Sequence, residues 1–162
     1  MRFNIKYEIN KYKIYDEANK LICIVGKKLS SENKLAVICP DQDEEYWVVH
    51  GEGEFRIIGK KIKTIHCIVR YSSDAKGKKE AYWRPAMAEE TEVIAGCRRL
   101  SVCQKRNRTF EILLNGRKAG EIRHMMSASK EMALENDIPE WYAGLIFAMA
   151  FFMLHDDDIE II

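Results

Sequence analysis

Trp141 to Leu154, WYAGLIFAMAFFML, is a run of fourteen residues without a charge. A helix that is apolar on every side must be surrounded, either by lipid or by protein. At about 1.5 Å per residue the run reaches roughly 21 Å, short of the roughly 30 Å of hydrocarbon that a spanning helix crosses. The nearest charged residues, Glu140 and Asp156, are acidic, so the basic flanks that anchor a spanning segment are missing. The run is therefore expected to be a helix over about 140–154 buried in protein, and the chain not to be an integral membrane protein. Pro139 suits a helix start because its absent N–H is needed by no partner there, and Glu140 suits the positive end of the dipole. Acidic residues oppose the dipole at the other end, so Asp156, Asp157 and Asp158 are expected beyond the helix. Ala143, Gly144, Ala148 and Ala150 allow close approach, and Trp141, Leu145, Met149 and Phe152 form a bulky stripe. The Gly144-x-x-x-Ala148 spacing is read as packing, not as a dimerising membrane face.

Strands are the natural surroundings. From Arg2 to about Ile122 short runs rich in Ile, Val, Tyr and Phe alternate with polar turn clusters, the pattern of an antiparallel all-β domain. Strands are expected near Phe3–Ile9, Tyr12–Tyr15, Lys20–Gly26, Lys34–Cys39, Tyr46–His50, Glu54–Ile58 and Lys61–Tyr71. Others follow near Glu92–Ala95, Arg99–Cys103, Thr109–Leu114 and Lys118–Arg123, and Ile159 to Ile162 is expected to add a last one. Asn115-Gly116 is the sharpest turn signal, since both central residues of a type I′ hairpin need positive φ. Ser72 to Glu90 is the least regular stretch and is expected to be a loop, with Tyr82 and Trp83 as exposed aromatic candidates. At 162 residues the chain fits one domain, 1–162, with a sizeable core.

Charge limits the partners. Lys plus Arg total 26 against 25 Asp plus Glu, which removes the general electrostatic case for nucleic acid and confines any anion site to a local patch. Five cysteines without a C-x-x-C pair argue against a disulfide framework and a zinc motif. The N-terminus has no apolar stretch of signal-peptide length, so a cytoplasmic protein with reduced thiols is expected.

Three segments together resemble the tubby C-terminal-like superfamily, which includes the LURP-one-related proteins and the phospholipid scramblases. They are YKIYDEANKLICIVGKK (Tyr12–Lys28), FEILLNGRKAGEI (Phe110–Ile122) and EWYAGLIFAMAFFMLHDDD (Glu140–Asp158). The resemblance implies a closed antiparallel β-barrel of about twelve strands around a central hydrophobic C-terminal helix, a closure that removes exposed sheet edges. It also implies contact with membrane lipid in some members, through basic side chains on the barrel.

Phosphate recognition needs clustered Lys and Arg. Lys60, Lys61 and Lys63 form one cluster, and Lys76, Lys78 and Lys79 another. Arg98, Arg99, Lys105, Arg106 and Arg108 form the densest and are the candidate ligand-binding residues, weighed against a solvated strand edge that discourages pairing. None of them matches the phosphoinositide site of tubby domains residue by residue. His155 with Asp156 to Asp158 lacks the alternating ligands and Gly turn of a calcium loop and reads as a polar stop. His50, His66, His124 and His155 have no metal-ligand spacing, and nucleotide, hydrolase and dinucleotide signatures are absent. The expected function is non-enzymatic: binding of an anionic phospholipid or phosphoinositide headgroup, peripherally at a membrane, without cofactor or metal. The alternative is a protein-interaction or structural module with a protein partner.

Overall fold

The computed structural model describes residues 1–27, 34–40, 44–51, 54–59, 65–71, 88–95, 98–105, 109–125 and 127–159. The chain is mostly β and antiparallel, with one C-terminal helix. In order come β1 (Arg2–Glu8), β2 (Lys11–Tyr15), β3 (Leu21–Lys27), β4 (Lys34–Cys39), β5 (Glu44–Gly51) and β6 (Glu54–Gly59). Then follow β7 (Ile65–Tyr71), β8 (Ala88–Ala95), β9 (Arg98–Gln104), β10 (Phe110–Leu114), β11 (Arg117–Arg123), β12 (Ser129–Leu134) and α1 (Tyr142–Ile159).

Strands consecutive in sequence pair with each other, and β1 pairs with both β2 and β12. Because every pair is antiparallel, the connections leave alternately at two rims. Those after odd-numbered strands lie at one, here the odd rim, and those after even-numbered strands at the even rim.

Alternation sets the inner face. In β1, Phe3 and Ile5 are buried while Arg2, Asn4 and Lys6 are exposed, the period of two of a strand with one face on a core. In β11 the buried residues Ala119 and Ile122 are three apart. A register shift there sets Ile112 opposite Gly120 and Leu113 opposite Lys118, so Ala119 is the extra residue of a bulge and both apolar side chains stay inside. Asn115 and Gly116 have φ of 52° and 83°, as the hairpin turn requires.

The core is filled by α1. Every residue from Ala143 to Met153 is buried, so this stretch of the helix is enclosed by protein. It enters from the even rim after β12, packs against β3, β4, β5, β8 and β9, and runs toward the odd rim. The Tyr142 and Ala143 N–H groups donate to the carbonyls of Pro139 and Glu140 at 3.0 Å, which satisfies two of the donors that a helix start leaves open. No helix among the described residues is long and apolar enough to cross a membrane.

Several expectations change. The helix does not stop at Leu154: Asp156 to Asp158 are helical, and so is Ile159, which was expected in a final strand. The dipole penalty for a carboxylate in the last turn of a helix is only about 0.3–1 kcal/mol, less than propagation from a helix already held by its buried turns supplies. The rest of the proposed tail strand, 160–162, lies outside the described residues. Finally, Ser129–Leu134 is a strand that alternation did not announce, because the charged Lys130 occupies an inward position. The expected loop gives way to β8 from Ala88 onward, and 72–87, with Tyr82 and Trp83, lies outside the described residues.

Candidate functional site

Of the basic residues singled out from the sequence, Arg99 and Lys105 have described side chains, and these two do not converge. Arg98 and Arg99 open β9 at the even rim, while Lys105 follows β9 at the odd rim. Six residue steps along the strand separate Arg99 from Lys105, about 20 Å. Arg99 is exposed, and its backbone N–H donates to the Asn115 side-chain oxygen at 2.8 Å, tying it to the β10–β11 turn. Lys105 Nζ is 3.1 Å from Glu111, which also lies 3.8 Å from Lys118; Lys118 reaches Glu121 at 3.6 Å, and Arg123 meets Glu121 at 2.8 Å. This part of the outer surface is an ion-pair lattice across β10 and β11. Arg106, Arg108, and the clusters at 60–63 and 76–79 lie outside the described residues, and of Arg98 only the backbone is described.

A different feature stands at the odd rim. Ile9 and Asn10 form the β1–β2 turn with φ of 48° and 61°. The left-handed region suits Asn, but for a β-branched residue it is a steric outlier, costing roughly 1–2 kcal/mol. Ile9 is 89% exposed, so no packing within the described structure offsets that cost.

The tip is braced from below. The Tyr7 hydroxyl donates to the Asn10 side chain at 3.2 Å, and the Tyr7 ring meets Tyr12 at 4.9 Å between centroids. Tyr12 in turn contacts Phe147 at 4.9 Å and Phe151 at 5.5 Å, so an aromatic chain runs from the exposed hairpin into the helix. Lys11 is exposed beside the tip and Lys6 is exposed further down the hairpin, its Nζ 5.8 Å from the Tyr15 ring centroid, while Lys13 pairs with Glu8 at 3.3 Å. Inside the rim, Lys130 is buried, donates to the Ser127 carbonyl, and lies 5.4 Å from the Tyr12 ring centroid. Burial holds its pKa below the ordinary lysine value.

Other arrangements offer less chemistry. A surface groove of about 420 Å³ on β11, β12 and β1 carries Arg2, Arg123, Glu17, Glu121 and Glu131, a mixed set without a dominant sign. Among the described residues no three His, Cys, Asp or Glu side chains gather as a metal site. The side chains of Asp156 to Asp158 are outside the description.

No family model and no curated protein matches the chain. Among solved structures it is similar to an X-ray structure of a protein from Arabidopsis thaliana. That likeness covers 98% of this chain and 90% of the other at 9% identity, with a TM-score of 0.45. A likeness so distant carries no function from one chain to the other.

Proposed function

We propose that the chain is a non-enzymatic cytoplasmic binding protein, a twelve-strand barrel closed around α1, that docks peripherally on an anionic phospholipid surface through its odd rim. Ile9 enters the boundary between headgroups and acyl chains, and Lys6 and Lys11 meet the lipid phosphates. The observation that carries this reading is Ile9 itself: an apolar, β-branched side chain, 89% exposed, at a backbone angle of 48° that it adopts only with strain.

Magnitudes favour a bilayer over a protein partner. Full burial of an isoleucine is worth about 1.5–3 kcal/mol, and each lysine near an anionic membrane about 1 kcal/mol. One apolar tip with two exposed lysines thus gives weak, reversible attachment. A specific protein interface needs about 800 Å² per partner, far more than one hairpin tip offers. The pairing of β1 on both edges supports the closed scaffold, since it leaves no free edge there for strand addition.

Co-sedimentation with vesicles tests it. The protein is expected to pellet with phosphatidylserine-containing vesicles, less so as salt is raised, and to stay in the supernatant with pure phosphatidylcholine. Equal distribution between the two vesicle types would contradict the reading.

A further inference from the structure

We infer that Cys23 and Cys39 form a redox-sensitive modification site that closes to a cross-strand disulfide beneath the first turn of α1. Ile24 pairs with Ile38 in the β3–β4 ladder, which sets Cys23 directly opposite Cys39. Directly opposed side chains of an antiparallel pair approach closely enough for a disulfide's geometry. The two sulfurs are 3.1 Å apart, so bond formation at about 2.05 Å needs closure by only about 1 Å.

The surroundings single out this pair. Both residues are at most 1% exposed, and both sulfurs face the Trp141 carbonyl at 3.7 and 3.8 Å. The helix leaves room for them at Gly144, where an added Cβ would lie 3.1 Å from Cys23 Cβ and 3.2 Å from its sulfur. The hydrogen bond to Cys39 and burial hold the Cys23 thiol well above its ordinary pKa. Attack therefore waits on opening of the rim and is slow, but a sulfenic acid formed here meets the opposing thiol first.

With hydrogen peroxide as oxidant the step balances. One thiol loses its proton and attacks a peroxide oxygen, the O–O bond breaks, and the departing hydroxide takes up that proton as water, leaving a sulfenic acid. The second sulfur attacks the first, the S–S bond forms, and a second water departs. Two thiols lose two electrons and two protons, and the peroxide is reduced to two waters.

Peptide mapping of the full native chain tests the inference. After exposure to hydrogen peroxide, free thiols are blocked with N-ethylmaleimide, and the chain is denatured and digested with trypsin without reduction. Peptides Leu21–Lys27 and Leu35–Arg56 are expected to appear joined, two hydrogens lighter than their sum, and to separate with dithiothreitol. The Cys103→Ser variant should keep the link. Recovery of Cys23 and Cys39 as blocked thiols or as sulfonic acids would overturn the inference, and so would links to other cysteines at equal yield.

Discussion

The Lys130 ammonium lies 5.4 Å from the centre of the Tyr12 ring, inside the rim where the β1–β2 hairpin meets the helix. Its hydrogen bond to the Ser127 carbonyl and the ring face stand in for water, yet burial still lowers its pKa. Below the folded-state pKa both folded and unfolded chains hold the proton, and the charge costs the folded state. As pH rises from that lowered value toward the ordinary 10.5, the folded chain releases the proton first and the cost is relieved. The variant Lys130→Met, similar in length and without charge, is expected to unfold at higher urea than the parent at pH 7. The gap should narrow as pH approaches 10.5, and a pH-independent gap would remove the desolvation argument.

The same lysine explains what the sequence concealed. Ser129 to Leu134 reads SKEMAL, mostly good helix formers with a charge at an inward position, so neither propensity nor alternation marks it as β12. The buried helix, by contrast, was legible from fourteen uncharged residues, and the Asn115-Gly116 hairpin from its turn chemistry. The end of α1 was read too early because the dipole argument is local and weak beside cooperativity. The candidate site was hardly legible. Arg99 and Lys105 are close in sequence but lie at opposite ends of one strand, and Ile9 reads as a strand residue because isoleucine is foreign to left-handed turns.

Relief of strain at the tip is measurable. Ile9→Asn places a residue tolerant of positive φ beside Asn10 and sacrifices no packing within the described structure. It is expected to stabilise the protein by about 1 kcal/mol in equilibrium urea unfolding. A loss of stability would mean that the isoleucine makes contacts that its exposure denies.

Helix and sheet approach closely at Gly144. A Cβ added there would come 2.5 Å from Val37 Cγ1, a side chain fixed in the core. Gly144→Ala is expected to lose about 2 kcal/mol despite alanine's better helix propensity, because overpacking outweighs the roughly 1 kcal/mol gained from it. Urea unfolding decides the sign, and a stabilised variant would show that α1 can shift away from β3 and β4.

Charge at the rim should act separately from the apolar tip. Lys6→Glu and Lys11→Glu together are expected to weaken attachment to phosphatidylserine vesicles and to flatten its salt dependence, since the electrostatic part is screened within about 10 Å at 0.1 M salt. Titration of bound protein against ionic strength measures both. An unchanged salt profile would move the contact away from this hairpin.

The most direct test compares Ile9→Asp with the parent on vesicles containing phosphatidylserine, after circular dichroism has shown both to be equally folded. Placing a carboxylate at the tip removes the apolar contact and adds repulsion, so partitioning is expected to fall at least about tenfold. Equal partitioning of the two proteins would contradict docking through the odd rim.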